Sequence, residues 1–333
     1  MKFRKTAAAV LSFIMTAAVL TGCGTQTSTD TASKSGTDGK VYKIGICQLI
    51  QHKALDAATQ GFKDKLTELL GKDSVKFDEQ NAAGDSATCS TIVNQFVSSG
   101  SDLIFANATA ALQAASSATG DIPIVATSIT DYATALDIDN WTGKTGINVT
   151  GTSDLAPLKE QAEMFKELLP DAKTIGLLYC SSEANSKYQV DIVAKELAAL
   201  GYSTEMYPFA DSNDIAAVVT SAASKCDAMY IPTDNTAAAN TELIANIAEP
   251  AKLPIIAGEE GICKGCGIAT LSISYNDIGQ KAAEMAYDIL VNGKDPADME
   301  VQFAKDLTKK YSAKRAEEMG ITIPSDYEEL AAE

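Results

Sequence analysis

The sequence is poor in positive charge, and its shortage of arginine and histidine excludes several kinds of site. Only Arg4 and Arg315 are arginines among 333 residues, and His52 is the single histidine. Acidic side chains outnumber basic ones by 44 to 27, which gives a net charge of −17. Proteins that bind nucleic acid neutralise phosphates with lysine and arginine, so this balance argues against a nucleic-acid partner. A metal site built from several imidazole groups is excluded as well.

Motifs of common enzyme classes are also missing from the sequence. It contains no Gly-x-Ser-x-Gly nucleophile elbow, no Gly-x-Gly-x-x-Gly dinucleotide fingerprint and no complete phosphate-binding P-loop. We therefore expect a protein that is not an enzyme and that needs neither a cofactor nor a metal.

Long hydrophobic runs are absent too, and the longest one lies at the N-terminus. Residues 6–20 form an uncharged run of 15 residues, shorter than the roughly 20 that a membrane-spanning helix needs. Basic residues precede this run, which predicts an export signal in residues 1–22. The sequence Leu20-Thr21-Gly22-Cys23 resembles the bacterial lipobox, in which Cys23 becomes the first mature residue and carries a diacylglycerol. Residues 23–40 are rich in Ser, Thr and Gly, and they predict a flexible linker that holds an exported protein at the outer face of the cell membrane.

Six further cysteines follow the lipobox. Cys47, Cys89, Cys180 and Cys226 lie inside or beside apolar runs, where a cysteine usually serves as a small core residue. The motif Cys263-Lys264-Gly265-Cys266 has no second cysteine pair or histidine nearby, so we expect a surface disulfide or two free thiols there rather than a metal site.

From residue 43 the chain alternates short apolar strands with amphipathic helices, and it does so twice. Lys43-Ile44-Gly45-Ile46-Cys47 is echoed by Thr174-Ile175-Gly176-Leu177-Leu178, and Ile122-Pro123-Ile124-Val125-Ala126 by Leu253-Pro254-Ile255-Ile256-Ala257. Strands that are apolar throughout belong to parallel sheets covered on both faces. The sequence therefore predicts an α/β fold of two doubly wound, Rossmann-like parallel-sheet lobes.

The lobes are expected to exchange chain segments. We assign residues 41–153 and 275–298 to an N-terminal lobe, and residues 154–274 and 299–333 to a C-terminal lobe. Three strands are expected to cross between them, near residues 151–157, 272–275 and 295–300. Such crossings form a hinge, so we expect the lobes to close on a ligand.

Polar loops follow the strands of both lobes, at the edge where open α/β sheets bind ligands. Their candidate ligand-binding residues are Gln48, His52, Leu55, Thr109, Thr127, Ser128 and Asp131 in the first lobe, and Ser182, Asn185, Asp234, Asn235 and Glu259 in the second. The alternative is that these polar side chains only cap the helices that follow. Both roles are compatible, because the free N–H groups of a helix N-terminus themselves bind anions.

Several motifs resemble the ABC substrate-binding family whose members include lipoproteins that bind tryptophan and other aromatic amino acids. These motifs are Ile44-Gly45-Ile46, His52-Lys53-Ala54-Leu55-Asp56, Ile129-Thr130-Asp131, Asn148-Val149-Thr150-Gly151 and Met319-Gly320-Ile321-Thr322-Ile323-Pro324. The resemblance implies a type I periplasmic-binding-protein fold with a three-strand hinge. It also implies that the protein captures an aromatic L-amino acid (tryptophan, tyrosine or phenylalanine) and delivers it to an ABC permease and its ATPase. Binding of a nucleoside or sugar and a role as a ligand-sensing lipoprotein are the alternatives.

An amino-acid ligand needs donors for its carboxylate and acceptors for its ammonium group. No arginine lies between residues 4 and 315, so hydroxyl and backbone N–H groups must replace the usual bidentate clamp. Asp234 or Glu259 is expected to meet the ammonium group, unless Asp234 only caps a helix. His52 either hydrogen-bonds the ligand or caps the helix that begins near Leu55.

Overall fold

The computed structural model describes residues 39–304 and 306–331, which form thirteen strands, twelve α-helices and two short 3₁₀ helices. The predicted export signal, Cys23 and most of the predicted linker lie outside the described residues. The strands are β1 (Tyr42–Gln48), β2 (Val75–Asn81), β3 (Leu103–Asn107), β4 (Ile124–Ile129), β5 (Val149–Ser153), β6 (Thr174–Cys180), β7 (Ser203–Phe209), β8 (Ala228–Ile231), β9 (Ile255–Ala257), β10 (Ala269–Ser272), β11 (Gln302–Phe303), β12 (Thr308–Tyr311) and β13 (Glu328–Glu329). The helices are α1 (Lys53–Leu70), α2 (Ser86–Ser99), α3 (Thr109–Ala118), α4 (Tyr132–Leu136), α5 (Leu158–Leu168), α6 (Ala184–Ala199), α7 (Ile215–Ala223), α8 (Asn235–Ala238), α9 (Thr241–Ala248), α10 (Glu260–Cys266), α11 (Tyr275–Leu290) and α12 (Ala313–Met319).

Five strands of each of the two sheets follow the same order, as the internal repeat predicts. The first sheet has the order β11-β5-β4-β3-β1-β2, and the second has β13-β12-β10-β9-β8-β6-β7. Neighbouring strands pair in parallel in both sheets, except that β12 runs antiparallel to β10. We call each sheet with its covering helices a lobe.

Helices cover both faces of each sheet, which explains why the strands are apolar throughout. In the first lobe, α2 and α3 pack on one face through Phe96 and Leu112, and α1 and α11 pack on the other through Phe62 and Ala282. In the second lobe, α7, α9 and α10 cover one face, and α5 and α6 cover the other. These layers confirm the prediction of two doubly wound lobes.

Close packing of α11 on α1 brings the chain back to the first lobe after β10. The two helices approach through Gly61 and Gly279, where a Cβ atom would overlap the backbone of Asn276 and Ala58, respectively. Glycine at these two positions therefore permits the contact, which holds α11 against α1 and beside β4 and β5 of the first sheet, although the second sheet comes between them in sequence.

The last crossing between the sheets comes later than the sequence pattern indicates. Gln302 and Phe303 pair with Thr152 and Ser153 of the first sheet, whereas β12 pairs with β10 of the second. The chain therefore crosses after Phe303 rather than in residues 295–300. The short exposed strand β11 carries little hydrophobic pattern from which its sheet could be assigned, and the lobe boundaries stay a prediction.

The cysteines are free thiols throughout the described residues. Cys47, Cys89 and Cys180 are buried as predicted, and Cys226 is half-buried. Cys263 and Cys266 lie on the buried face of α10 as free thiols, so the second of the two expected alternatives holds and the surface disulfide does not. Among the helices of the described residues, every one is too short or too polar to cross a bilayer.

Candidate functional site

A narrow cleft lies between the two lobes, at the carboxyl ends of their strands, and in this structure it has room for only about 10 Å³. We call it the central cleft. Its lining residues are His52, Leu55 and Ser128 from the first lobe, Asp154 and Tyr275 from the crossing segments, and Asn185, Thr233, Asp234, Asn235, Ala238 and Glu259 from the second lobe. Seven residues that the sequence singles out are thus brought together by parts of the chain that are distant in sequence.

Two other candidates line a second cavity on the same interlobe boundary. This side cavity of about 60 Å³ lies between the start of α3 and the loop before α6, and Thr109 and Ser182 contribute to it. Asn185 and Asn235 line both cavities. The side cavity and the central cleft therefore border the same two amide side chains.

The remaining three candidates form hydrogen bonds inside the first lobe. The Gln48 side chain donates to the Ile50 carbonyl at 2.9 Å and accepts from Thr59 at 2.6 Å. Thr127 is fully buried against Thr152, with 2.8 Å between their hydroxyl oxygens, and Asp131 caps α4. Gln48, Thr127 and Asp131 are not among the residues that line either cavity in the described part of the chain.

Direct hydrogen bonds join the lobes across the cleft. His52 Nε2 lies 3.2 Å from Oδ1 of Asn235. Gln189 donates to the Thr233 hydroxyl of its own lobe at 2.6 Å, and across the cleft to the Thr130 hydroxyl of the first lobe at 3.4 Å. The lobes are therefore closed on each other, and the polar atoms that line the cleft are shielded from bulk water.

Asp154 provides a buried carboxylate where the first crossing segment enters the cleft. It is 5% exposed and accepts hydrogen bonds from the hydroxyls of Tyr275 at 2.9 Å and Thr130 at 3.2 Å. Burial raises the pKa of the Asp154 carboxyl to about 6, and the two hydroxyl donors oppose that rise. Both donors are side-chain hydroxyls, so the carboxylate keeps acceptor capacity for a cationic group in the cleft.

Asp234 and Glu259 cap helices of the second lobe and also line the cleft. Asp234 accepts from the backbone N–H groups of Cys180 at 2.6 Å and Ala237 at 2.8 Å, and Glu259 accepts from that of Gly261 at 2.6 Å. Burial raises the pKa of Asp234 to about 8 and that of Glu259 to about 7. The capping alternative thus holds for both residues, and contact with a ligand stays a prediction.

Two buried polar atoms of the cleft have no hydrogen-bond partner among the described residues. They are Nδ1 of His52 and the hydroxyl oxygen of Ser128. Ser128 has a φ of 57°, a left-handed conformation that turns its side chain away from the regular alternation of β4. Buried polar groups normally have a partner, so this pair of atoms indicates a position for polar groups of a ligand.

The cleft combines acceptors, neutral donors and apolar surface. Asp154, Asp234 and Glu259 supply carboxylate oxygens, while Ser128 and Asn185 supply a hydroxyl and an amide. None of the residues that line the central cleft is a lysine or arginine in the part of the chain that the structure describes. Such a lining suits a small solute that carries a positive group better than it suits a polyanion.

The sequence patterns do not single out Asp154, Glu183 and Tyr275 among the residues at the interlobe boundary. Asp154 follows β5, so the strand-end rule applied to β5 would have found it. Glu183 lies in a loop from which only Ser182 and Asn185 were singled out. Tyr275 lies at the start of α11, and its apolar ring gives no signal that distinguishes it from a core residue.

Comparisons with known proteins identify the family of this chain. Residues 43–333 match the family described as ABC transporter substrate binding protein. The tyrosine-binding protein of Clostridioides difficile (strain R20291) is 36% identical over 304 residues, which cover 90% of this chain and 88% of that protein.

Solved structures are similar over most of the chain. The crystal structure of an ABC domain in complex with L-Trp from Streptococcus pneumonia is 36% identical, with a TM-score of 0.82, and covers 86% of this chain and 97% of that one. The ligand-free, open structure of a substrate binding protein with adhesive properties from Clostridium difficile is also 36% identical, with a TM-score of 0.67, and covers 88% and 100%. The family match and the identity over most of both chains show that this protein belongs to the ABC transporter substrate-binding family.

Proposed function

We propose that the protein captures an aromatic L-amino acid in the central cleft and delivers it to an ABC permease and its ATPase. The observation that carries the proposal is the central cleft itself, which is lined both by buried carboxyl groups and by the residues of two unpaired atoms, Nδ1 of His52 and the hydroxyl oxygen of Ser128. The names of two relatives support the choice of solute, since one is a tyrosine-binding protein and another holds L-Trp.

Asp154 is the residue that we assign to the ammonium group of the solute. Its carboxylate is the one in the cleft whose bonded donors are both side-chain hydroxyls. Hydroxyl groups can rotate to make room for a ligand, whereas the backbone N–H groups that donate to Asp234 and Glu259 are fixed by the chain. Ser128 is assigned to the solute carboxylate, because its hydroxyl has no partner among the described residues and none of the described lining residues is an arginine.

Closure of the lobes belongs to the same proposal. At equal sequence identity, this structure is more similar to the L-Trp complex, at a TM-score of 0.82, than to the ligand-free open protein, at 0.67. We therefore propose that the solute stabilises the closed arrangement held by the His52 and Gln189 hydrogen bonds. The lobes move about the three crossings. The sequence places the lobe boundaries at residues 153/154, 274/275 and 298/299. The pairing of β11 with β5 shows that the third crossing comes after Phe303.

Calorimetry on unfolded and refolded, ligand-free protein tests the assignment of the solute. We expect heats of binding with tyrosine, tryptophan or phenylalanine and none with sugars or nucleosides. If a sugar or nucleoside bound clearly and no aromatic amino acid did, the assignment of the solute would be contradicted, while the assignment of the protein to its transport family would stand.

We also propose that the protein is exported and lipid-anchored through Cys23, as Leu20-Thr21-Gly22-Cys23 predicts. Replacing Cys23 with alanine is expected to move the protein from the membrane fraction into the soluble fraction, because the acyl chains supply the anchor. Cys226→Ala, which alters a half-buried cysteine, serves as the matched control and should stay with the membrane. A Cys23→Ala protein that remained membrane-bound through high-salt washing would show that the anchor lies elsewhere.

A further inference from the structure

Glu183 lies at the boundary between the lobes, beside the N-terminus of α8, and it is surrounded by donors. Its carboxylate accepts from the backbone N–H of Asn235 at 3.1 Å and from that of Thr236 at 2.9 Å. It also accepts from the Asn235 amide at 2.6 Å, the Thr236 hydroxyl at 2.7 Å and the Asn185 amide at 3.2 Å. A carboxyl group that accepts from five donors is an ionised acceptor.

The ionised Glu183 fixes which way the Asn235 amide points. Its NH₂ group must face the carboxylate, since the opposite orientation would place two oxygens 2.6 Å apart. The amide oxygen Oδ1 is therefore directed at Nε2 of His52, 3.2 Å away. Because Oδ1 can only accept, Nε2 of His52 must carry a hydrogen.

His52 is a neutral imidazole in this position, because burial lowers its pKa against the opposing effects of Asn235, Glu183 and Asp56. A neutral imidazole has one N–H group, and in His52 that group is Nε2–H. Nδ1 then holds a lone pair, and it is the buried nitrogen that has no partner among the described residues.

We infer that Glu183, acting through Asn235, holds His52 in the Nε2–H tautomer, so that Nδ1 accepts a hydrogen bond from a donor group of the bound solute. Glu183 is thus a positioning residue, and the inference rests on the proposed function of the central cleft. It specifies the chemistry at this point of the site: an ammonium, hydroxyl or indole N–H group fits beside Nδ1, whereas a carboxylate does not.

The single histidine of the sequence allows a direct test by NMR. Protein labelled with ¹⁵N-histidine and saturated with L-tyrosine is expected to show one neutral ring in the Nε2–H tautomer, with the Nδ1 resonance shifted by an accepted hydrogen bond. The same shift with L-phenylalanine would identify the ammonium group as the donor, and a shift with tyrosine alone would identify the phenol. Either result supports the inference.

Glu183→Gln is the variant that tests the positioning role. A glutamine can offer its NH₂ group to Asn235, so the Asn235 amide can turn over. We expect a mixture of both His52 tautomers and roughly tenfold weaker binding of L-tyrosine. Glu196→Gln, on the helix α6 that follows Glu183, is the matched control and should reproduce the unaltered spectrum and affinity.

The outcomes separate this inference from the proposed function. Binding heat with L-tyrosine together with an Nδ1–H or doubly protonated ring would overturn the inference and leave the function standing. An unchanged tautomer in Glu183→Gln would likewise overturn the positioning role. Absence of heat with every aromatic amino acid would overturn the proposed function itself, and with it the role of Nδ1 as acceptor for that solute.

Discussion

Replacing Asp154 with asparagine is expected to weaken the binding of an aromatic amino acid roughly 10- to 150-fold, the range that a hydrogen bond to a charged group contributes. Asparagine keeps the shape of the side chain and can still accept from Tyr275 or Thr130. It lacks the negative charge, so the solute's ammonium group would be desolvated without a charged partner. The loss should therefore appear in affinity rather than in folding.

Titration calorimetry of Asp154→Asn, with a thermal unfolding curve for each protein, measures this effect. Asp85→Asn provides the matched control, because Asp85 caps α2 on the surface and asparagine is an equally good N-cap. Equal affinities in Asp154→Asn and the unaltered protein would mean that Asp154 only joins the two crossing segments through Tyr275.

The affinity for the same solute is expected to fall as the pH is lowered from 8 to 5. Burial raises the pKa of Asp154 to about 6, of Glu259 to about 7 and of Asp234 to about 8. A cationic ligand favours the ionised carboxylates, so binding below these pKa values must release protons. For each proton that binding releases, the affinity falls about tenfold when the pH is lowered by one unit.

The stability of the ligand-free closed protein is expected to change in the opposite direction. A carboxyl group whose folded-state pKa is raised binds more protons in the folded than in the unfolded state. Its stabilising contribution is complete below the unfolded-state pKa, near 4. That contribution is lost as the pH rises through the folded-state values of about 6 to 8.

Calorimetry at several pH values, in buffers that differ in ionisation enthalpy, counts the released protons directly. Asp154→Asn should remove the part of the dependence centred near pH 6. Other titratable groups at this boundary are His52, Glu183 and Tyr275, and the burial of His52 and Tyr275 favours their neutral forms over this range. An affinity that did not vary between pH 5 and 8 would show that no cleft carboxylate meets the cationic group.

The amino-acid sequence by itself determined the repeat, the parallel sheets and the edge at which the cleft lies. These features follow from local patterns. A strand that is apolar throughout must be covered on both faces, and a ligand then reaches a covered parallel sheet only at the ends of its strands. Seven candidates from separate loops do line one cleft for that reason. The burial of Cys47 on β1 and of Cys180 on β6 was predictable for the same reason, because both lie in apolar strands.

Only the tertiary structure decided which strand-end side chains face the cleft. The register of β4 against β5 shifts between Ala126 and Ile129, and the left-handed backbone of Ser128 turns its hydroxyl to the cleft while Thr127 stays buried against Thr152. The hydrogen bonds from Glu183 through Asn235 to His52 depend on atoms that are brought together by packing of the two lobes. Sequence spacing carries no record of such contacts, because the side chains that meet there are separated by 183 residues and their orientation is set by the lobes as whole bodies.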